Sequence, residues 1–138
     1  MSRYRKKSKK AIIFQQDFGN IFGDVMLVSA GGTPTEVLAY ATKHRFRKDL
    51  LAYIATEKDV FDLKGDLGRF AWATHVKGLF LVLGPYEDTW AFWEMLIHEL
   101  NHAVFRFAEI KTMQTETEVQ ARLQEYLFRS IRRKLQNS

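Results

Sequence analysis

Apolar positions along the chain fall into two patterns, short unbroken runs and longer stripes at helical spacing. Ala11-Ile12-Ile13-Phe14 and Val25-Met26-Leu27-Val28 are runs of strand length, separated by turn formers at Asp17-Phe18-Gly19-Asn20 and Gly23-Asp24. They predict two strands, compatible with a hairpin. Gly31-Gly32 ends the second run, and Thr33-Pro34-Thr35-Glu36 then supplies a Thr cap, Pro at the first helical position and Glu three residues after the cap. A helix is expected from Pro34 to about His44, burying Val37, Leu38, Tyr40 and Ala41. Arg45 to Arg69 carries the weakest pattern: Leu50 to Ile54 suits a helical turn or a strand, and Thr56 to Gly68 looks like an exposed loop. Phe70 to His75 and Lys77 to Leu83 read as strands with a turn near Gly78. Leu79 to Leu83 is continuously apolar, which predicts burial on both faces.

Two helices close the chain. Trp90 to Ala108 is the most apolar segment, free of Pro and Gly and too long for a strand, with Asp88 or Thr89 as its cap. After a connection over Lys111 to Thr115, Val119, Leu123, Tyr126, Leu127 and Ile131 recur at helical spacing and predict a helix running past Arg133. The expected fold is α+β: one domain over residues 11–138, with a small twisted sheet and three principal helices.

The first of these two helices carries His98-Glu99-Leu100-Asn101-His102, the pattern H-E-x-x-H. Residues four apart stack on one helix face, so both imidazoles point the same way and can grip a single Zn²⁺. Glu99 is turned by about 100° from His98 and can serve as base for a metal-bound water without being a ligand. The competing interpretation is two core histidines satisfied by hydrogen bonds. It must account for two His and a Glu inside an otherwise hydrophobic helix, where burying such groups unpaired costs several kcal/mol, on the order of 2–7 for each neutral group.

With no cysteine, a thiolate zinc site and a cysteine nucleophile are both excluded, so any metal rests on His and carboxylates. A catalytic zinc generally takes a third protein ligand. The extension H-E-x-x-H-x-x-G-x-x-H fails, because Phe105 stands in place of Gly and Ala108 in place of the third His. His44 and His75 remain, and the start of the last helix offers Glu116 and Glu118. Thr115-Glu116-Thr117-Glu118 also fits a capping box, which would compete for the Glu118 carboxylate.

H-E-x-x-H followed one helix later by a Glu resembles the gluzincin arrangement of zinc metallopeptidases. Glu118-Val119-Gln120-Ala121-Arg122 and Glu125-Tyr126-Leu127 look like the corresponding run of small phage-encoded metallopeptidases and of the ImmA/IrrE-like group. Arg122 departs from the aromatic or small polar residue usual there. The resemblance implies a minimal zincin-like domain with His98, His102 and Glu118 as zinc ligands and Glu99 as catalytic base. It also implies a peptide or protein substrate paired to a strand just before the motif helix, for which Leu79 to Leu83 is the candidate. Tyr126, His75 and Tyr53 are candidate oxyanion stabilisers.

Charge adds a second possibility. The net charge of +5 is concentrated at Arg3, Arg5, Lys6, Lys7, Lys9 and Lys10, with another cluster at Arg129, Arg132, Arg133 and Lys134. Residues 1–10 are expected to form a disordered basic tail, either a solvated arm or a weak nucleic-acid contact. The alternative function is therefore an inactive zinc-containing binding module that uses its basic ends on nucleic acid or a protein partner. Ala11 to Phe14 is too short for a signal-peptide core and no segment suits a membrane span, so a cytoplasmic protein is expected.

Overall fold

The computed structural model describes residues 10–19, 22–73, 76–113 and 115–138. Of the basic tail only Lys10 falls within them. The fold is α+β, a four-stranded mixed sheet covered on both faces by helices. Among the described residues no helix is long and apolar enough to cross a membrane.

Strands β1 (Ile12–Asp17) and β2 (Val25–Ala30) pair antiparallel, as the alternation of runs and turns predicts. α1 (Pro34–Lys43) begins with the full capping box: the Thr33 hydroxyl accepts from the Glu36 amide, and the Glu36 carboxylate accepts from the Thr33 amide. The weakly patterned region forms α2 (Lys48–Thr56) and a 3₁₀ turn (Lys58–Phe61). The expected loop thus contains a structured element, because Ile54 and Phe61 are both buried against the sheet.

β3 (Gly68–Ala73) and β4 (Gly78–Leu83) form an antiparallel pair, and β4 also pairs parallel with β2. The strand order β1-β2-β4-β3 makes β4 interior and leaves β1 and β3 as edges. Period-2 alternation then assigns each face its helices. Leu79, Leu81 and Leu83 face α3 (Trp90–Ile110) and α4 (Thr117–Gln136), whereas Phe80 and Val82 face α1, α2 and the 3₁₀ turn.

α4 buries Leu123, Leu127, Ile131 and Leu135, each contributing roughly 1.5–3 kcal/mol by leaving water. Tyr126 is not part of this stripe. It is 39% exposed, and its hydroxyl donates to Asp17 on β1 at 2.9 Å. The expected capping box at Thr115 is absent as well: the N-cap of α4 is Glu116, with no side-chain cap hydrogen bond.

Candidate metal centre

α3 is held at its start by the Thr89 hydroxyl, which accepts from the Phe92 amide, while the Trp93 indole donates to Asp88 at 2.8 Å. Leu96, Leu100, Ala103 and Phe107 face the sheet, which turns His98 and His102 to the exposed side one turn apart. Their Nε2 atoms are 3.2 Å apart, with ring planes at 87°. Two nitrogens bound tetrahedrally to one zinc at 2.0–2.1 Å would lie about 3.3 Å apart. The helix alone therefore sets the separation that a shared ion requires. Without an ion, the same distance fits one Nε2–H donating to the other ring.

Glu99 is turned the other way. It is buried between α3 and edge strand β3, where its Cγ and Met95 lie against Gly68. A Cβ built on Gly68 would come within 2.5 Å of Met95 Sδ and 3.0 Å of Glu99 Cγ, so any larger residue would make both neighbours shift. Among the described residues no hydrogen bond or ion pair engages the Glu99 carboxylate. Glu99 and His102 line one open cavity of about 550 Å³ along β3, with Trp72, Phe105 and Arg106.

The third ligand is not assembled. Glu118 is 77% exposed and bonded to Arg122 Nε at 2.9 Å on its own helix. Nine residues separate it from buried Leu127, so at 100° per residue it lies on the opposite side of α4 from the packing stripe. A hydrogen bond between Asn101 and Gln124 sets the antiparallel register of α3 and α4. Six residues before Gln124, Glu118 stands roughly 7–8 Å along the axis from the level of His102, at 1.5 Å per residue. Glu116 is exposed at the N-cap, its carbonyl accepting from the Gln120 amide. Among the described residues, no three His, Asp or Glu side chains come together as a metal-holding group.

The oxyanion candidates lie elsewhere. Tyr126 sits at β1, the far edge of the sheet, and its hydrogen bond to Asp17 is the main cause of a phenol pKa raised above its usual value. Tyr53 stacks on Phe80 with ring centroids 5.5 Å apart, on the sheet face away from α3. Burial, then the nearby Glu57, raises its pKa. His75 lies outside the described residues.

The substrate-pairing strand needs correction. Leu79 to Leu83 cannot accept an added strand, because β4 is hydrogen-bonded to β2 on one side and β3 on the other. The free edge beside Glu99 is β3. Gly68 and Trp72, neither of them among the residues expected at the site, also line the cavity. The signal for Gly68 was a glycine opening an apolar run, which marks close backbone approach. Trp72 offered none, although its indole N–H is buried without an acceptor among the described residues. Comparisons with protein-family profiles, curated protein sequences and solved structures gave no match.

Proposed function

We propose that this protein is a zinc-dependent peptidase of the gluzincin type, with a zincin-like site on α3. The observation that carries the reading is the 3.2 Å separation of the His98 and His102 Nε2 atoms, with the Glu99 carboxylate, which has no partner among the described residues, one residue on. Both imidazoles suit zinc in their neutral form, and their exposure leaves the approach of an ion open. Bound zinc supplies an acidified water and a Lewis-acid partner for the scissile carbonyl.

The chain's own residues supply the rest. Glu99 lies beside the cavity and takes a proton from the attacking water, then returns it to the leaving amine. Its packing against Gly68 fixes where that carboxylate can reach. The free edge of β3 offers backbone groups to an extended peptide, which would lie along the cavity as a fifth strand. For Glu118 to complete the ligand set, its weak exposed pair with Arg122 must break and the start of α4 must turn on α3, because the carboxylate starts from the far face of α4.

The test is zinc content of the purified protein beside Glu118→Ala and Glu116→Ala. Near one zinc per chain, lost with Glu118→Ala and kept with Glu116→Ala, is the expected result. Glu99→Gln should keep the metal and lower peptide hydrolysis by about 10²–10⁴-fold, the usual range for general-base removal. Failure to take up zinc in stoichiometric amount would leave two exposed histidines sharing a hydrogen bond, and the hydrolase reading would fall.

A further inference from the structure

The corner between α1 and α2 reads Lys43-His44-Arg45-Phe46-Arg47-Lys48, four cations and a histidine with no acid among them. Lys77, from the turn before β4, reaches the same place. Arg45, Arg47, His44 and Lys77 line a cavity of about 460 Å³ whose wall includes Gln15 and Leu27. It lies with the α1/α2 layer, separate from the cavity beside Glu99.

Most of this charge is uncompensated. Arg47 is bonded to Asp49 and to the Val76 carbonyl, and Asp24, the acid in the cavity wall, is paired with Lys111 at 3.0 Å. Among the described residues Lys43, Arg45, Lys48 and Lys77 have no ion-pair partner. Clustering like charges on an exposed corner raises the local potential and is relieved by binding a polyanion.

Arg45 and Lys77 also occupy the left-handed backbone region, at φ 57° and 53°. That conformation costs a non-glycine residue roughly 1–2 kcal/mol, and Gly or Asn would relieve it. The fold instead carries a long cation at both places, and both residues line one cavity.

We propose that the α1–α2 corner is a binding site for the phosphate backbone of nucleic acid. Arg45 and Lys77 line the cavity beside the Asp49-paired Arg47, enough for one phosphate, while Lys43 and Lys48 extend the positive surface beyond it. A ligand with several phosphates in a row neutralises the whole set, whereas a lone phosphate does not. Cations of this kind contact phosphate oxygens, so the expected binding is sequence-independent. The inference is independent of the zinc reading.

The experiment uses the full chain and fluorescence anisotropy with a labelled 20-nucleotide single strand of mixed sequence, at several salt concentrations. Arg45→Asn with Lys77→Asn removes two charges and suits the left-handed backbone, so unfolding measurements should show stability kept or raised. The double variant should bind about tenfold more weakly, with a salt slope shallower by about 1.4 for two lost phosphate contacts on a single strand. A second variant replaces Arg3, Arg5, Lys6, Lys7, Lys9 and Lys10 with Gln. Binding that persists in this variant and falls with Arg45→Asn/Lys77→Asn supports the site. Binding abolished by the tail variant and unchanged by the double variant would overturn it. So would saturable binding of inorganic phosphate without any binding of the strand.

Discussion

Gly68 governs the candidate site although it carries no chemistry. Its missing side chain lets β3 lie against Met95 and Glu99, and so decides where the Glu99 carboxylate sits. Gly68→Ala would drive a methyl group into both neighbours. Met95 is flexible and its sulfur can swing aside, whereas the Glu99 Cγ is close to the α3 backbone and must shift with its carboxylate. The expected cost in stability is therefore modest, about 1–2 kcal/mol for overpacking. The larger effect should fall on hydrolysis, since a displacement near 1 Å can cost about a hundredfold in rate. Urea unfolding and peptide hydrolysis on the same sample separate the two. A stability loss with hydrolysis unchanged would show that Glu99 is not held by this contact. The H-E-x-x-H spacing was legible in the sequence because one helix carries all of it. Gly68 was not, because its role depends on which strand packs on that helix.

At the scale of elements, most local signals survived, the Thr115 capping box and the place of Tyr126 on the α4 stripe excepted, and long-range ones did not. The Thr33 capping box, the Thr89 cap and the Leu123-Leu127-Ile131 stripe each involve residues within one or two turns, and the structure contains all three. α2 was ambiguous because an apolar run of five residues suits either state until a partner buries it. The two-faced apolarity of Leu79 to Leu83 did signal an interior strand, since such runs belong to sheets covered on both sides. An interior strand has no free edge, so it cannot take up a substrate strand as well. Gln16 shows what an alternating strand conceals. It is fully buried, its Oε1 accepting from Ser130 at 3.1 Å and Lys134 at 3.0 Å, and its Nε2 donating to the Asp17 carbonyl at 2.9 Å. This joins edge strand β1 to the end of α4. Gln16→Leu would nearly keep the volume, strip the Ser130 hydroxyl of its acceptor and leave Lys134 only the Gln15 carbonyl, at a cost of about 1–3 kcal/mol. Gln15→Leu, on the exposed face, should stay within about 0.5 kcal/mol. Equal urea midpoints for the two variants would show that the polar tie does not hold β1 to α4.

Across the whole molecule, the sheet divides two chemistries. The histidine pair belongs to the α3/α4 layer beside edge β3, and the cation cluster of the α1–α2 corner to the opposite layer. This division makes the zinc reading testable through stability, without a known substrate. An ion that binds only the folded chain stabilises it by mass action, by about 2.7 kcal/mol at a hundredfold excess over Kd. For a domain of this size that corresponds to a rise in Tm of roughly 5–10 °C. His98→Ala and His102→Ala should each remove most of the rise, because one imidazole cannot hold the ion alone. Both residues are exposed and neither supports the core, so the metal-free Tm should change little. Glu118→Ala separates a three-ligand site from a two-histidine one. If Glu118 leaves Arg122 to complete the site, the variant loses much of the zinc-induced rise while its metal-free Tm stays near wild type, since an exposed pair is worth about 0–1 kcal/mol. A zinc-induced rise that is the same in Glu118→Ala as in wild type would make the site a two-histidine one. The gluzincin assignment would then fail even with zinc bound.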